Sequence, residues 1–262
     1  MMTVDAELIR KMTERGKRLD HRPFDQYRNL QIEAGIISSA EGSARVKLGN
    51  TEVIVGVKLG VGTPFPDTQD EGVLMVTAEL LPLAHPDFES GPPGEDAIEL
   101  ARVVDRAIRE SKCIDTEELC VTAGEKVWMV FIDIDVIDDC GNLIDAACTA
   151  AVAALLNAKM PELDEEGKIN YEVKKGKLPI KGIPVSTTFV KINSQILADP
   201  TLDEMNAMEA RLTIGTIDKD HKIQMCSMQK GGTVGLTVDE IDKISEMAEE
   251  KGEEIREKIK KA

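Results

Sequence analysis

Residues 126–156 read KVWMVFIDIDVIDDCGNLIDAACTAAVAALL: an apolar run, a glycine turn and an alanine-rich run in direct succession. The first part alternates and is rich in β-branched and aromatic residues, which predicts a strand. Residues 143–159 predict a helix, and so much alanine implies close packing against a sheet. A strand that ends in a glycine turn and feeds a helix is a common frame for a phosphate. The turn amides and the helix dipole then point at the anion together. Here the turn holds no cation, and the first hydroxyl is Thr149, two turns into the helix. Three readings stand side by side: an anion site, a plain strand-to-helix joint, and a site that has lost its chemistry.

Working outward, residues 3–15 predict an amphipathic helix stopped at Gly16, and GKRLDHRPFDQYRN follows as a basic, irregular connector. LQIEAGII, SARVKLG and NTEVIVGVKLG predict strands, the last two joined by a hairpin turn at Gly49-Asn50 with glycine first. The loop TPFPDTQDEG leads to a strand in VLMVTAELLPL, and the loop HPDFESGPPG leads to a helix over 95–112. Residues 160–181 are polar and mark a boundary, dividing the chain into 1–180 and 181–262. Beyond it, IPVSTTFVKI and SQILA predict strands, and EARLTIGTI and HKIQMCSMQ a hairpin around Asp218-Lys219-Asp220. A last helix over 237–260 opens with the capping box Thr237-x-x-Glu240. Its apolar face runs Ile241, Ile244, Ala248, Ile255 and Ile259. The fold class is α+β, in two similar halves, each a sheet backed by helices.

The chain has 262 residues, 42% of them hydrophobic, enough for one large domain or two closely packed ones. A net charge of −16 opposes nucleic acid and anionic membranes, so any RNA contact must come from a local basic patch. Aromatics at 3% disfavour a base-stacking platform. No apolar run is long enough to span a bilayer, and the first residues lack a signal-peptide core. The five cysteines include no C-x-x-C pair and read as buried free thiols in a reducing cytoplasm. His21, His85 and His221 lie far apart in turn-like contexts and do not suggest a metal site.

Asp133 and Asp135 share one face of the strand ahead of the turn, with Asp138 and Asp139 following. Such a cluster can bind Mg²⁺, but no anchoring motif accompanies it, which favours the polar face of a half-buried sheet. The helix EDAIELARVVDRAIRESK says more. Ala97, Ala101, Val104 and Ile108 form one apolar stripe, and Arg102, Arg106 and Arg109 form a cationic one rotated away from it. Three guanidiniums on one face suit phosphates, whose oxygens they bind bidentately. The competing use is intrahelical pairing, Asp105 with Arg109 and Arg106 with Glu110. QKGGTVG lacks the spacing and the Lys-Ser/Thr ending of a P-loop and reads as the loop into the last helix. No G-x-S-x-G, H-E-x-x-H or Cys-His pairing supports a hydrolase or zinc class.

In their order these segments resemble the RNase PH family over nearly the whole chain. GKRLDHRPFDQYRNLQIEAGIISSAEGSARVKLGNTEVIVGVKLG is similar to that family's opening, with its D-x-R-P connector and GSA…GNT hairpin. PPGEDAIELARVVDRAIRESKCID and GNLIDAACTAAVAALLNAKMP are similar to the non-catalytic RNase PH-type subunit of the archaeal exosome. The resemblance implies an RNase PH-like fold of two ribosomal-protein-S5-domain-2-like halves, each a mixed sheet packed by helices. It also implies a chemistry in which phosphate attacks the 3′-terminal linkage of RNA and releases nucleoside diphosphates. Active members carry Gly-Thr-Arg or Gly-Ser-Arg at the turn, where this chain reads Gly141-Asn142-Leu143. They also carry two aspartates six apart. Aligned on EARLTIG, Asp199 takes the first position and Met205 the second, with Asp203 and Glu204 within a residue or two. A thioether is no general acid, and by this alignment the turn is a silenced phosphate site with no catalytic residue.

The resemblance further implies that Arg102 and Arg106, and with a rival partner in Asp105 also Arg109, contact single-stranded RNA beside the active site of a catalytic neighbour. The expected setting is a cytoplasmic hexameric ring of three heterodimers with a catalytic RNase PH-type exosome subunit, capped by S1/KH-type RNA-binding subunits. No cofactor, metal or membrane is expected. The rival readings are a free-standing phosphate-dependent 3′–5′ exoribonuclease and an RNA-binding module with no ring partner.

Overall fold

The computed structural model describes residues 5–164, 167–219 and 222–262. The connector is preceded by α1 (Ala6–Glu14), shorter than expected; residues 3 and 4 of that expectation lie outside the described residues. The first sheet is built from β1 (Leu30–Ala34), β2 (Gly42–Leu48), β3 (Thr51–Gly62), β4 (Val73–Leu80), β5 (Cys120–Thr122) and β6 (Lys126–Asp138). Its order is β1-β2-β3-β6-β4, with β5 added on β6. All pairs are antiparallel except β4 with β6, whose parallel pairing is reached through α2 (Glu95–Glu110).

Alternation decides which face of this sheet is inside. Val53, Val55, Val57 and Leu59 of β3 are buried opposite Ile132, Ile134 and Val136 of β6, in the register Val55↔Ile134. Each such side chain contributes about 1.5–3 kcal/mol on burial. Onto that face packs α3 (Leu143–Asn157), buried at every position from Ile144 to Leu155. It touches β2 and β3 on one side and β9 on the other, so it is shared by both sheets. Small side chains are what let one helix approach two sheets closely, which accounts for its alanines.

The polar stretch expected to be a boundary forms a hairpin, β7 (Lys159–Leu163) with β8 (Ile169–Lys177). The second sheet runs β10-β9-β11-β12, from β9 (Pro184–Ile192), β10 (Gln195–Ala198), β11 (Ala210–Lys219) and β12 (Lys222–Gly232). Every pair in it is antiparallel, so of the two sheets only the first is mixed. Asp218 and Lys219 continue β11 rather than turning, and Asp220 and His221 lie outside the described residues. Between β10 and β11 is a short helix that the sequence reading missed, α4 (Leu202–Ala207).

The last helix is α5 (Val238–Ile259), and the Thr237/Glu240 capping box is present with both hydrogen bonds. Ile244, Ala248, Ile255 and Ile259 are buried as expected, Ile241 only partly. Arg256 is buried among them, donating to the Thr216 hydroxyl at 3.0 Å. The main core is continuous from the first sheet through α3 to Val185, Ile217, Ile255 and Ile259. Cys113 and Cys148 are buried free thiols, and burial pushes them up to about 11 and about 12; the other three cysteines are half-buried. No helix among the described residues is long and apolar enough to cross a membrane.

Candidate functional site

The turn between β6 and α3 is held from three sides. Gly141 has φ +92°, and a Cβ there would run into the backbone of Thr201 and Leu202, so both conformation and space demand glycine. Asn142, at φ +59°, is the N-cap of α3, but its side chain does not cap the helix. Its amide nitrogen instead donates to Asp145 Oδ2 and to Asp199 Oδ1, each at 2.8 Å. Its backbone N–H, a free donor at the helix start, meets Met205 Sδ of α4 at 3.2 Å. The glycine turn, Asn142, Asp199 and Met205 therefore come together in one place.

Asp199 is fully buried at φ +47° and is the centre of a knot of charges. Arg28 donates to its two oxygens at 2.7 and 2.9 Å, and Arg22 to Oδ2 at 2.9 Å. Arg28 also donates to the carbonyls of Cys140 and Gly141, each at 3.0 Å, closing the turn. Burial alone would raise the Asp199 pKa, but the hydrogen bonds and charge of Arg28, helped by Asn142, hold it below the usual carboxylate range. Arg18, wholly buried, grips Glu204 at 2.6 and 2.8 Å and the Asp199 carbonyl at 2.9 Å. Glu204, near neighbour of Met205 in sequence, thus faces Arg18 and not the turn.

Beneath the knot lies Asp145, which accepts from Tyr27 and Asn142 at 2.8 Å and from the Thr188 amide and hydroxyl at 2.9 and 2.7 Å. Burial nonetheless pushes its carboxyl up to about 6. Tyr27 is held well above its ordinary range by burial and by Asp145 and Asp199. Sequence reasoning left Arg18, Arg22 and Arg28 unassigned in a basic connector. The available signal was a run of cations in a chain of net charge −16, around the D-x-R-P of Asp20-His21-Arg22-Pro23.

On the outer side of the turn, Leu143, Met205, Phe88 and Leu100 wall a cleft of about 350 Å³. Its one cation, Arg211, pairs with Glu99 at 2.5 Å, and Asp96 and Asp139 also line it. Gly231 of β12 makes room for that guanidinium, since a Cβ would lie 3.0 Å from it; Gly231 and Gly232, read as loop, end this strand, and Gly235 lies in the loop into α5. An anion at this helix start would meet a thioether, a leucine and three carboxylates. The dipole alone supplies about 0.3–1 kcal/mol, too little to hold phosphate against water.

The arginines of α2 are placed differently. Ala97, Ala101, Val104 and Ile108 are buried together with Leu100, Val103 and Ala107, a broader apolar face than the stripe expected. Arg109 is tied to Asp105 at 2.6 and 3.0 Å and donates to the Leu74 carbonyl at 3.0 Å. The Arg106–Glu110 pair that spacing allows does not form; Arg106 donates to the neutral Gln229 of β12 at 2.6 Å. Arg102 is exposed and has no ion-pair partner among the described residues. Arg102, Arg106, Ile98 and Gln229 line one shallow depression together with Glu95 and Glu99. Asp133 is exposed and accepts from Thr77 at 2.7 Å. Half-buried Asp135 is raised by desolvation and by Glu79 and Asp133. Among the described residues no three His, Cys, Asp or Glu side chains are grouped to hold a metal ion.

Residues 26–161 match domain 1 of the 3′ exoribonuclease family, RNase PH, and residues 182–251 match its domain 2. The chain is 48% identical to the exosome complex component Rrp42 of Methanocella arvoryzae over 98% of its own length and 95% of the relative's. It is 45% identical to the exosome complex component Rrp42 of Thermococcus kodakarensis, over 100% of this chain and 96% of that one. A chain of the Archaeoglobus fulgidus exosome, solved with RNA bound to the active site, superposes with a TM-score of 0.89 at 43% identity. That match covers 97% of this chain and 96% of the other.

Proposed function

The chain belongs to the RNase PH family of 3′ exoribonucleases, and on that premise we propose that it is a non-catalytic subunit of an archaeal-type exosome. In this reading it alternates with a catalytic RNase PH-type subunit in a ring of three heterodimers, under S1/KH-type cap subunits, in the cytoplasm. It shapes the partner's active site and lends Arg102 and Arg106 to single-stranded RNA. The boundary between its halves falls at residues 180 and 181, between β8 and β9.

The observation that carries the reading is the Asn142 N–H on Met205 Sδ. Phosphorolysis needs that helix start for the attacking phosphate and a carboxylate nearby to manage a proton or metal. Here a thioether fills the place, and Asp199 is committed to Arg22 and Arg28. Arg102 and Arg106, which make no ion pair among the described residues, support a role on RNA phosphates.

The test has two arms. The purified chain, given oligo(A), phosphate and Mg²⁺, is expected to release no nucleoside diphosphate. Mixed with a catalytic RNase PH-type subunit, it is expected to give an assembly with equal numbers of each by native mass spectrometry. Turnover by the chain alone would establish the free-standing enzyme instead, and subunits that stay separate would remove the ring.

A further inference from the structure

We propose that the second sheet sets the charge of the depression on α2: Arg211 and Gln229 are positioning residues that keep Arg102 and Arg106 uncompensated for RNA phosphates. The proposal rests on the reading of those two arginines given above and deepens it.

An arginine on a helix meets the side chains three and four residues away. For Arg102 those positions hold Ile98, Glu99, Asp105 and Arg106. Two of them are acids, and each is taken by another arginine. Asp105 is held by Arg109 at 2.6 Å, and Glu99 by Arg211 of β11 at 2.5 Å. Glu99 is the stronger competitor, because an acid N-terminal to a base is the favoured order on a helix. Its side chain is 50% exposed and lines the depression with Arg102, so the tie to Arg211 is the contact that draws it off. Glu95, in the same depression, stands seven residues from Arg102, about 10 Å along the helix axis.

Arg211 is placed to act through Glu99 and not on RNA itself. Its side chain is only 8% exposed and fits against the bare backbone of Gly231. Gln229 treats Arg106 in the complementary way. Its amide oxygen accepts from the guanidinium at 2.6 Å, which holds the group at the depression without cancelling its charge. A glutamate there would hold it and neutralise it.

The competing explanation is that both residues only fasten α2 to the second sheet. Double-mutant cycles in the assembled complex separate the two, with oligo(A) affinity read by fluorescence anisotropy over a range of salt. Arg211→Met releases Glu99 to Arg102 and should weaken RNA about three- to fivefold, with a shallower salt dependence. Adding Glu99→Gln should restore both affinity and slope, whereas Glu99→Gln with Arg211 in place should raise affinity by less than about twofold. Gln229→Glu should weaken RNA about tenfold and Gln229→Leu about twofold, and that gap should close in an Arg106→Gln background. If Arg211→Met does not assemble, the two Gln229 variants decide alone. Unchanged affinity for Arg211→Met, no recovery on adding Glu99→Gln, or equal losses for Gln229→Glu and Gln229→Leu would each overturn the proposal and leave two structural ties. If replacing Arg102 and Arg106 together by Glu leaves RNA affinity unchanged, the RNA reading falls and takes this proposal with it. If that replacement weakens RNA while the cycles stay additive, this proposal alone fails.

Discussion

Two groups of arginines in this molecule look alike in sequence and behave in opposite ways. The side chains of Arg18, Arg22 and Arg28 are 0%, 11% and 10% exposed, and each lies against a carboxylate. Arg102 and Arg106 stand on α2 with no ion pair among the described residues, one in solvent and one on a neutral amide, although Glu95 and Glu99 line the same depression. The first group organises the turn that in active relatives of the family would hold phosphate. The second keeps its charge unpaired among the described residues. The difference teaches that a cation's role is set by where the compensating acid lies, and here that acid is about 170 residues away along the chain.

The comparison breaks most visibly at Asp199. Asp199→Ala leaves Arg28 buried without its counter-charge and Arg22 with Asp20 alone, and stability should fall by about 3–5 kcal/mol in urea unfolding. The pH dependence has a definite sign. The folded carboxyl is depressed, so as pH falls the unfolded chain takes up the proton first. Its stabilisation is present above the ordinary carboxylate range and lost as pH drops through the folded value. A cost under about 1 kcal/mol, the range of exposed pairs, would mean that these arginines re-solvate as freely as those of α2.

Next comes the other side of the comparison. Arg102→Glu with Arg106→Glu, in the assembled complex, should weaken RNA binding by about 3 kcal/mol, roughly 100-fold. The salt dependence should become shallower, since fewer counterions are released. Assembly should survive, because Ala97, Ala101, Val104 and Ile108 are buried and untouched. Unchanged affinity with an unchanged salt slope would reduce both arginines to surface charge.

What could be read from sequence follows from range. The strand alternation of β3 and β6, the glycine turn, the capping box of α5 and the α2 stripes are patterns within a few residues, and all are present. The Arg28–Asp199 and Arg18–Glu204 pairs depend on tertiary approach, so the connector read only as basic and irregular. α4 was missed because one and a half turns carry no periodicity, although its Thr201-x-x-Glu204 capping box was legible. Arg256 sits at a helical spacing that looks apolar only once Thr216 is known to lie beneath it. Asn142 and Met205 were visible as departures from the active pattern, but their contact with each other was not.

A smaller effect sharpens the picture beneath the knot. Folded Asp145 titrates at about 6 against an ordinary 3.8, so over that window the folded chain holds a proton that the unfolded chain has lost. Stability should therefore fall as pH rises through it and level off above, a change of about 2–3 kcal/mol. Asp145→Asn should remove that slope. The readout is the difference between variant and parent unfolding free energies across the window; a constant difference would show that Asp145 stays ionised on its four donors.

The smallest effect tests the division within α2 itself. Arg109 is half exposed and pairs with Asp105 one turn earlier, an orientation that also favours the helix dipole. It donates to the Leu74 carbonyl as well, fastening the end of α2 to β4. Arg109→Glu replaces attraction by repulsion beside Asp105 and Glu110 at the negative end of the helix. Solvent screening keeps the expected loss to about 1 kcal/mol, seen as a small drop in thermal stability. RNA affinity should change far less than for Arg102→Glu or Arg106→Glu alone, since Arg109 is already occupied. If instead Arg109→Glu weakened RNA as much as Arg106→Glu and left stability intact, local pairing would not decide which arginines reach RNA. The contrast between the two arginine groups would then rest on burial alone.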